Sequence, residues 1–112
     1  MTNNIILEKL DGVKRRFVEV GELLTRQEVL SDMGRYIALN REYKELQPII
    51  EAYEQYRLAL SNLASVREML VAEKDEEMRE MAKSEYEQLN EQIPEMEEEL
   101  KILLLPGDPC SA

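Results

Sequence analysis

The chain has 112 residues, of which 14 are basic and 24 are acidic, so its formal net charge is −10. This length suits one domain with one modest core, and an apolar content of 44% is typical of a folded chain. The acidic balance argues against general binding to nucleic acid, DNA included, and against an anionic membrane surface. A single cysteine excludes an internal disulfide.

The sequence shows no targeting or membrane-spanning segment. No apolar run approaches the ~20 residues that span a bilayer. The first residues lack the basic and apolar regions of a signal peptide. We therefore expect a cytoplasmic protein without membrane contact.

The negative charge is concentrated near the C-terminus. Residues 1–72 carry 10 basic and 11 acidic side chains, whereas residues 73–100 carry 3 basic and 12 acidic ones. The imbalance therefore lies on one segment, and the rest of the chain is close to neutral.

Apolar residues in the first segment recur at alternating steps of four and three residues, from Ile6 to Leu24. That spacing places them on one face of a helix that packs at a shallow angle against another helix. It predicts a helix over about residues 4–24. The residues that follow are of connector type, and Ser31 or Asp32 can cap the next helix.

A second apolar stripe runs from Leu39 to Leu70 and passes through Pro48. An interior proline removes a hydrogen bond and clashes with the preceding turn, so the helix is expected to kink or to split there. We predict helices at about 33–46 and 48–72, nearly coaxial or bent.

A third stripe runs from Met78 to Leu103 and predicts a helix at about 76–103. Pro94 lies inside this helix and is expected to kink it. The prolines and glycine that follow end the helix, and residues 106–112 are expected to form an unstructured tail.

These elements predict an all-α protein, an antiparallel helical bundle of three to four helices with a long helical hairpin. The bundle is expected to occupy residues 1–105. The two hairpin arms, 48–72 and 76–103, each span ~40 Å at 1.5 Å per residue. Because the first helix is shorter, the hairpin is expected to protrude and to carry the acidic segment.

The sequence lacks the groups of common catalytic and metal sites. There is no histidine, and Cys110 has no activating base in view. A zinc site of cysteine and histidine is impossible, and no loop has the ligand pattern of a calcium site. The isolated glycines form no phosphate-binding loop. We therefore expect no catalytic residue, no metal and no cofactor.

Two charged clusters have both a functional and a structural interpretation. The acidic run Glu97–Glu99 either docks a basic partner or is a solvated helix face. The only basic concentration either contacts RNA phosphate or is a solvated face with ion pairs along the helix. Its members are Lys9, Lys14, Arg15 and Arg16.

The tyrosines supply nearly all of the aromatic residues. Tyr43 and Tyr53 lie on the apolar stripe and are expected at the edge of the core with the hydroxyl in water. A stacking platform for bases needs aromatics among positive charges, but Glu51 and Glu54 lie beside Tyr53 and Tyr56. Packing is therefore favoured over base stacking.

Several runs of the chain have a familiar order and spacing. They are residues 41–46, 49–53 and 76–82, and a Glu-rich run that leads into Leu-Leu-Leu-Pro-Gly-Asp-Pro at 103–109. This last motif is the most specific. Together these runs resemble the N-terminal domain of the bacterial peptide chain release factor 1 family, along residues 5–109.

The resemblance implies a helical domain that precedes the codon-reading and catalytic domains of a factor for translation termination at stop codons. In that family the domain lies toward the stalk base of the ribosome and is linked with the GTPase release factor. The Gly-Gly-Gln and Pro-x-Thr motifs belong to later domains and are absent here. The resemblance thus implies a docking module, not an enzyme, and we expect the chain to be a shortened form of a longer factor.

We interpret the chain as a monomeric module that docks on the ribosome or on a partner. The RNA-facing group of this interpretation is Lys9, Lys14, Arg15 and Arg16. The alternative is a free-standing coiled-coil adapter or chaperone-like subunit that associates with itself through the hairpin. A small enzyme is disfavoured by the missing histidine and glycine loop.

Overall fold

The computed structural model describes the backbone of residues 2–105 and the side chains of residues 5–105. Within that range the chain forms four helices and no strand: α1 Thr2–Leu23, α2 Gln27–Leu30, α3 Met33–Ala72 and α4 Glu76–Leu104. This confirms the all-α class and the helical bundle with a long hairpin. The tail expected at 106–112 lies outside the described residues.

Helix α3 contradicts the prediction of two helices at 33–46 and 48–72. It runs unbroken for 40 residues with Pro48 inside it. Pro48 is exposed, so its ring faces solvent. A proline inside a helix lowers the stability of the helix by about 3 kcal/mol, and here this loss arises mainly from one missing backbone hydrogen bond. Burial of a single large apolar side chain contributes about 1.5–3 kcal/mol. Since α3 buries residues on both sides of Pro48, namely Leu39, Tyr53, Tyr56, Ala59 and Val66, one continuous helix is the more stable arrangement.

Helix α2 is a single turn that the sequence analysis took for a plain connector. Its Val29 is fully buried against Val20 of α1 and Leu39 of α3. Asp32 then caps α3, because its Oδ1 accepts a hydrogen bond of 3.2 Å from the backbone N–H of Arg35. The predicted cap is thereby confirmed.

Helix α4 begins where the sequence predicted. The side chain of Asp75 accepts a hydrogen bond of 3.1 Å from the backbone N–H of Met78. The helix continues through the exposed Pro94 to Leu104. It packs antiparallel to α3 after a connection of three residues.

The main core joins α1, α3 and α4 along one seam. Helix α1 contributes two buried residues to this core, Ile6 and Leu10, both from the first half of the helix. The other buried residues come from the hairpin: Tyr53, Tyr56, Ala59, Val66, Ala82, Leu89, Ile93 and Leu100. The part of the hairpin around Val66 and Ala82 is therefore a two-helix unit that extends beyond α1, as the helix lengths predicted.

A second, smaller core lies at the other end of the molecule. It is formed by Val20, Val29 and Leu39, with Tyr36 and Tyr43 packed against it. The two cores lie along one axis, and the molecule measures 62 × 34 × 21 Å. None of the described helices combines the length and the apolarity that a bilayer crossing requires.

Candidate docking surface on helix α1

The four cations predicted on α1 fall into two different environments. Lys14 and Arg16 form ion pairs with carboxylates of α3. Lys9 and Arg15 are exposed and form no ion pair with any residue in the described part of the chain. The structure therefore does not bring the four cations together as one free basic patch.

The guanidinium of Arg16 ties α1 to α3. Its Nε donates to Oε2 of Glu42 at 2.7 Å and its Nη2 donates to Oε1 of the same carboxylate at 2.8 Å. This is the bidentate geometry that suits an arginine–carboxylate pair. Glu42, followed by Glu19, raises the pKa of Arg16, and Arg16 in turn lowers the pKa of Glu42. Part of the basic group thus serves the contact between helices.

Lys14 belongs to a polar network around Tyr53. Its Nζ donates to Oε2 of Glu54 at 3.0 Å and lies 6.0 Å from the centroid of the Tyr53 ring. The Tyr53 hydroxyl donates to Oδ1 of Asp11 at 2.6 Å, and this bond, with burial, raises the pKa of Tyr53. Tyr53 is only 3% exposed. The expectation that its hydroxyl lies in water is therefore wrong, because Asp11 of α1 reaches it first.

The acidic run Glu97–Glu99 is also divided by the structure. Oε2 of Glu97 accepts a hydrogen bond of 2.8 Å from the hydroxyl of Tyr56, which is fully buried. Burial, and then the bond to Glu97, raises the pKa of Tyr56. Glu98 and Glu99 are exposed. Glu97 is thus a structural residue that the sequence analysis placed in a solvated or docking face.

The prediction that the tyrosines pack is confirmed for the three that lie on the stripe near α1. Tyr53 and Tyr56 are buried. Tyr43 stacks on Phe17 of α1, with ring centroids 4.5 Å apart and planes inclined by 18°. No base could stack on rings that are already covered in this way.

The surface that remains open on α1 is small and charged. Arg15 and Lys14 line a shallow depression of about 400 Å³ together with Asp11 and Val18. Its two cations can attract an anion in a salt-dependent manner. No cluster of metal-ligating side chains is found among residues 5–105.

Two further cations lie on α3, outside the basic group predicted on α1. Arg41 and Lys44 are exposed and flank a shallow depression of about 390 Å³ whose other lining includes Tyr36 and Ile37. They are three residues apart, so the helical period puts them on one face. In the sequence these two cations alternate with Glu42 and Glu45, so the segment has no net charge and does not stand out as basic.

Fold and surface together define an elongated, acidic all-α domain with charged faces. The chain belongs to the PCRF domain family, because the family model of the PCRF domain matches residues 13–112. No solved structure matches the chain.

Relatives that carry the name peptide chain release factor 1 match almost the whole chain. The protein of Parabacteroides distasonis is 46% identical over 109 residues, which are 97% of this chain and 30% of the relative. The protein of Bacteroides fragilis is 47% identical over 107 residues, 96% of this chain and 29% of the relative. The protein of Cytophaga hutchinsonii is 46% identical over 104 residues, which are 93% of this chain and 29% of the relative.

The chain spans about 30% of the length of these curated relatives and matches their N-terminal region. The resemblance drawn from the sequence is thereby confirmed.

Proposed function

We propose that the chain is a docking module of a release factor that directs translation termination at stop codons. The observation that carries this proposal is the 46% identity over 97% of the chain to the N-terminal region of peptide chain release factor 1. The module positions the factor on the ribosome and contributes no hydrolytic or codon-reading group of its own. It acts in the cytoplasm as a monomer and needs no cofactor.

In this proposal α1 contacts the stalk-base region of the ribosome, and the contacting residues are Lys9, Lys14, Arg15 and Arg16. Exposure and the absence of ion pairs within the described residues make Lys9 and Arg15 the leading members. Lys14 and Arg16 act mainly by holding α1 on α3. The two exposed cations on a near-neutral segment suit two phosphate contacts, one for each cation, and such contacts depend strongly on salt.

The GTPase release factor is the second partner in this proposal. The family resemblance supports it, and so does the acidic hairpin, which extends beyond α1 and is open to a partner protein. Residues 73–100 carry 12 of the acidic side chains. Such a surface steers the approach of a positively charged partner.

Charge reversal on α1 of the full-length factor tests the ribosome contact. We expect the double variant Lys9→Glu and Arg15→Glu to weaken ribosome binding by about tenfold and to reduce its salt dependence, because two phosphate contacts are lost. The double variant Arg79→Glu and Lys83→Glu, at exposed positions on the hairpin, changes the net charge equally and is the matched control. It should leave the affinity within about twofold. Equal affinity of the α1 variant and the parent would refute the contact.

A release assay tests the absence of chemistry in the module. We expect the 112-residue chain alone to release no peptide from ribosomes stalled at a stop codon. Release that depends on the stop codon would overturn this part of the proposal.

A further inference from the structure

One face of the α3–α4 hairpin carries an open groove. Its floor is formed by the half-buried Ala52 of α3 and by Met96 and Leu103 of α4, and its volume is about 570 Å³. Both helices contribute to it, so it is a feature of their packing rather than of one helix surface.

No described residue of α1 lines the groove. Tyr53 follows Ala52 on α3 and Glu97 follows Met96 on α4, each about 100° further round its helix. Tyr53 donates its hydroxyl to Asp11 of α1. Helix α1 therefore packs against an adjacent side of α3, about 100° from Ala52.

The rim of the groove is anionic. Glu51 on α3 and Glu99 on α4 both line it and both are exposed. Neither carboxylate has a cation within ion-pair distance among residues 5–105. Gln55 adds a neutral amide to the α3 side. An apolar floor between two uncompensated carboxylates is thus open to solvent.

Exposed apolar side chains extend this face toward the tip of the hairpin. Leu58 is 56% exposed and Met81 is 67% exposed. Leu58 lies three residues after Gln55 and seven after Glu51, which puts it on the same side of α3. On α4, Met81 lies 18 residues before Glu99. This is five full helical turns, so Met81 is on the same side of α4 as Glu99. The face is therefore long enough for a partner helix of several turns.

We propose that this groove docks a basic amphipathic helix of a partner protein. The apolar side chains of that helix fill the floor over Ala52, Met96 and Leu103, and its flanking Lys or Arg residues contact Glu51 and Glu99. The anionic rim repels RNA phosphate, and it equally repels the identical rim of a second copy of this chain. Charge complementarity thus selects a cationic polypeptide, whereas the cations of α1 select an anion.

The test uses a synthetic helical peptide of leucine and lysine in heptads as the probe, with the 112-residue chain labelled for nuclear magnetic resonance. We expect saturable binding with signal changes centred on Ala52, Met96 and Leu103. The same peptide with glutamate in place of lysine should not bind.

Two charge reversals on one turn of α4 separate groove binding from general attraction. Glu99→Lys should weaken binding of the probe by about tenfold, because a rim carboxylate becomes a like charge. Glu98→Lys changes the net charge equally at an exposed neighbour outside the groove, and it should weaken binding by no more than about twofold. Gln55→Lys repeats the test from α3, and circular dichroism checks that each variant is folded.

Several results would overturn the proposal. Equal losses for Glu98→Lys and Glu99→Lys would show attraction by bulk charge alone. The proposal would also fail if the lysine peptide did not bind, or if the glutamate peptide bound equally well. It would fail as well if the signal changes were spread along the outer face of α4 instead of being centred on the groove. An RNA oligonucleotide that competes for the groove, or dimers of the chain that bury it, would overturn the proposal too. The α1 variants should bind the probe normally, so the two surfaces are tested independently.

Discussion

Two tyrosines one turn apart on α3 join the three long helices. Tyr53 donates its hydroxyl to Asp11 of α1, and Tyr56 donates to Glu97 of α4. Both rings are buried, yet each hydroxyl has an acceptor, and no buried side-chain polar atom is unsatisfied among residues 5–105. Each phenol therefore adds apolar area to the core and a directional bond that sets the register of one neighbouring helix.

Removal of the Tyr56 hydroxyl tests this role. We expect Tyr56→Phe to lower the free energy of unfolding by about 1–2 kcal/mol, because Glu97 loses a buried donor. Tyr36→Phe is the control, since the Tyr36 hydroxyl makes no hydrogen bond within the described chain, and its effect should stay within about 0.5 kcal/mol. Urea unfolding measures both. Equal effects of the two changes would show that the bond to Glu97 contributes nothing to stability.

The same tyrosines predict a loss of stability at alkaline pH. The pKa values of Tyr53 and Tyr56 are raised above the ordinary 10.0, so the folded state holds these protons more tightly than the unfolded state. Their contribution to the free energy of unfolding is complete below pH 10.0, and it declines as the pH rises toward the pKa values of the folded state. Urea midpoints across this range should fall, and Tyr56→Phe should flatten the decline. A midpoint that does not change above pH 10.0 would contradict the assignment.

At the scale of elements, α3 is the central element of the bundle. It contacts α1, α2 and α4, and it contributes buried residues to both cores. Its 40 residues extend about 60 Å at 1.5 Å per residue, which accounts for the 62 Å length of the molecule. The break expected at Pro48 does not occur because both flanks of the proline are held by packing against other helices.

Helix α3 should become more stable without its proline. Pro48→Ala restores a backbone donor to the carbonyl of Lys44, so we expect the free energy of unfolding to rise by about 1–3 kcal/mol. Glu45→Ala, an exposed site one turn earlier with no backbone defect, should change it by less than about 0.5 kcal/mol. Thermal and urea unfolding give the comparison. A destabilised Pro48→Ala variant would show that the proline ring packs in a way that compensates for its missing N–H.

At the scale of the whole molecule, shape and charge are both polarised. The radius of gyration is 19.2 Å, whereas a compact globule of this length has about 13 Å. One end holds the second core and the near-neutral residues, and the other end is the hairpin with most of the excess negative charge. The acidic arm and the two exposed cations of α1, Lys9 and Arg15, give one small domain two surfaces of opposite charge.

Small-angle scattering with sedimentation tests the elongated monomer. We expect a mass near 13.1 kDa and a radius of gyration near 19.2 Å that do not depend on protein concentration. Self-repulsion of a chain with net charge −10 supports the monomer. A stable dimer or larger assembly would favour the coiled-coil adapter or chaperone-like subunit over the docking module.

The sequence by itself determined the all-α class, the starts of α3 and α4, and the family, but not the turn of α2 or the continuity of α3 through Pro48. Apolar spacing and the side chains of Asp32 and Asp75 act within a few residues, so they can be identified from a single chain. These features led to the all-α hairpin and to the starts of α3 and α4.

Only the tertiary structure decided what the charged and aromatic side chains do. Arg16 meets Glu42 across 26 residues, Tyr56 meets Glu97 across 41, and Tyr53 meets Asp11 across 42. These pairs depend on the rotation and register of whole helices against one another, which no short-range pattern encodes. For the same reason the basic run on α1 is continuous in sequence but divided in space, with Lys14 and Arg16 bound to α3 and Arg15 left open to solvent.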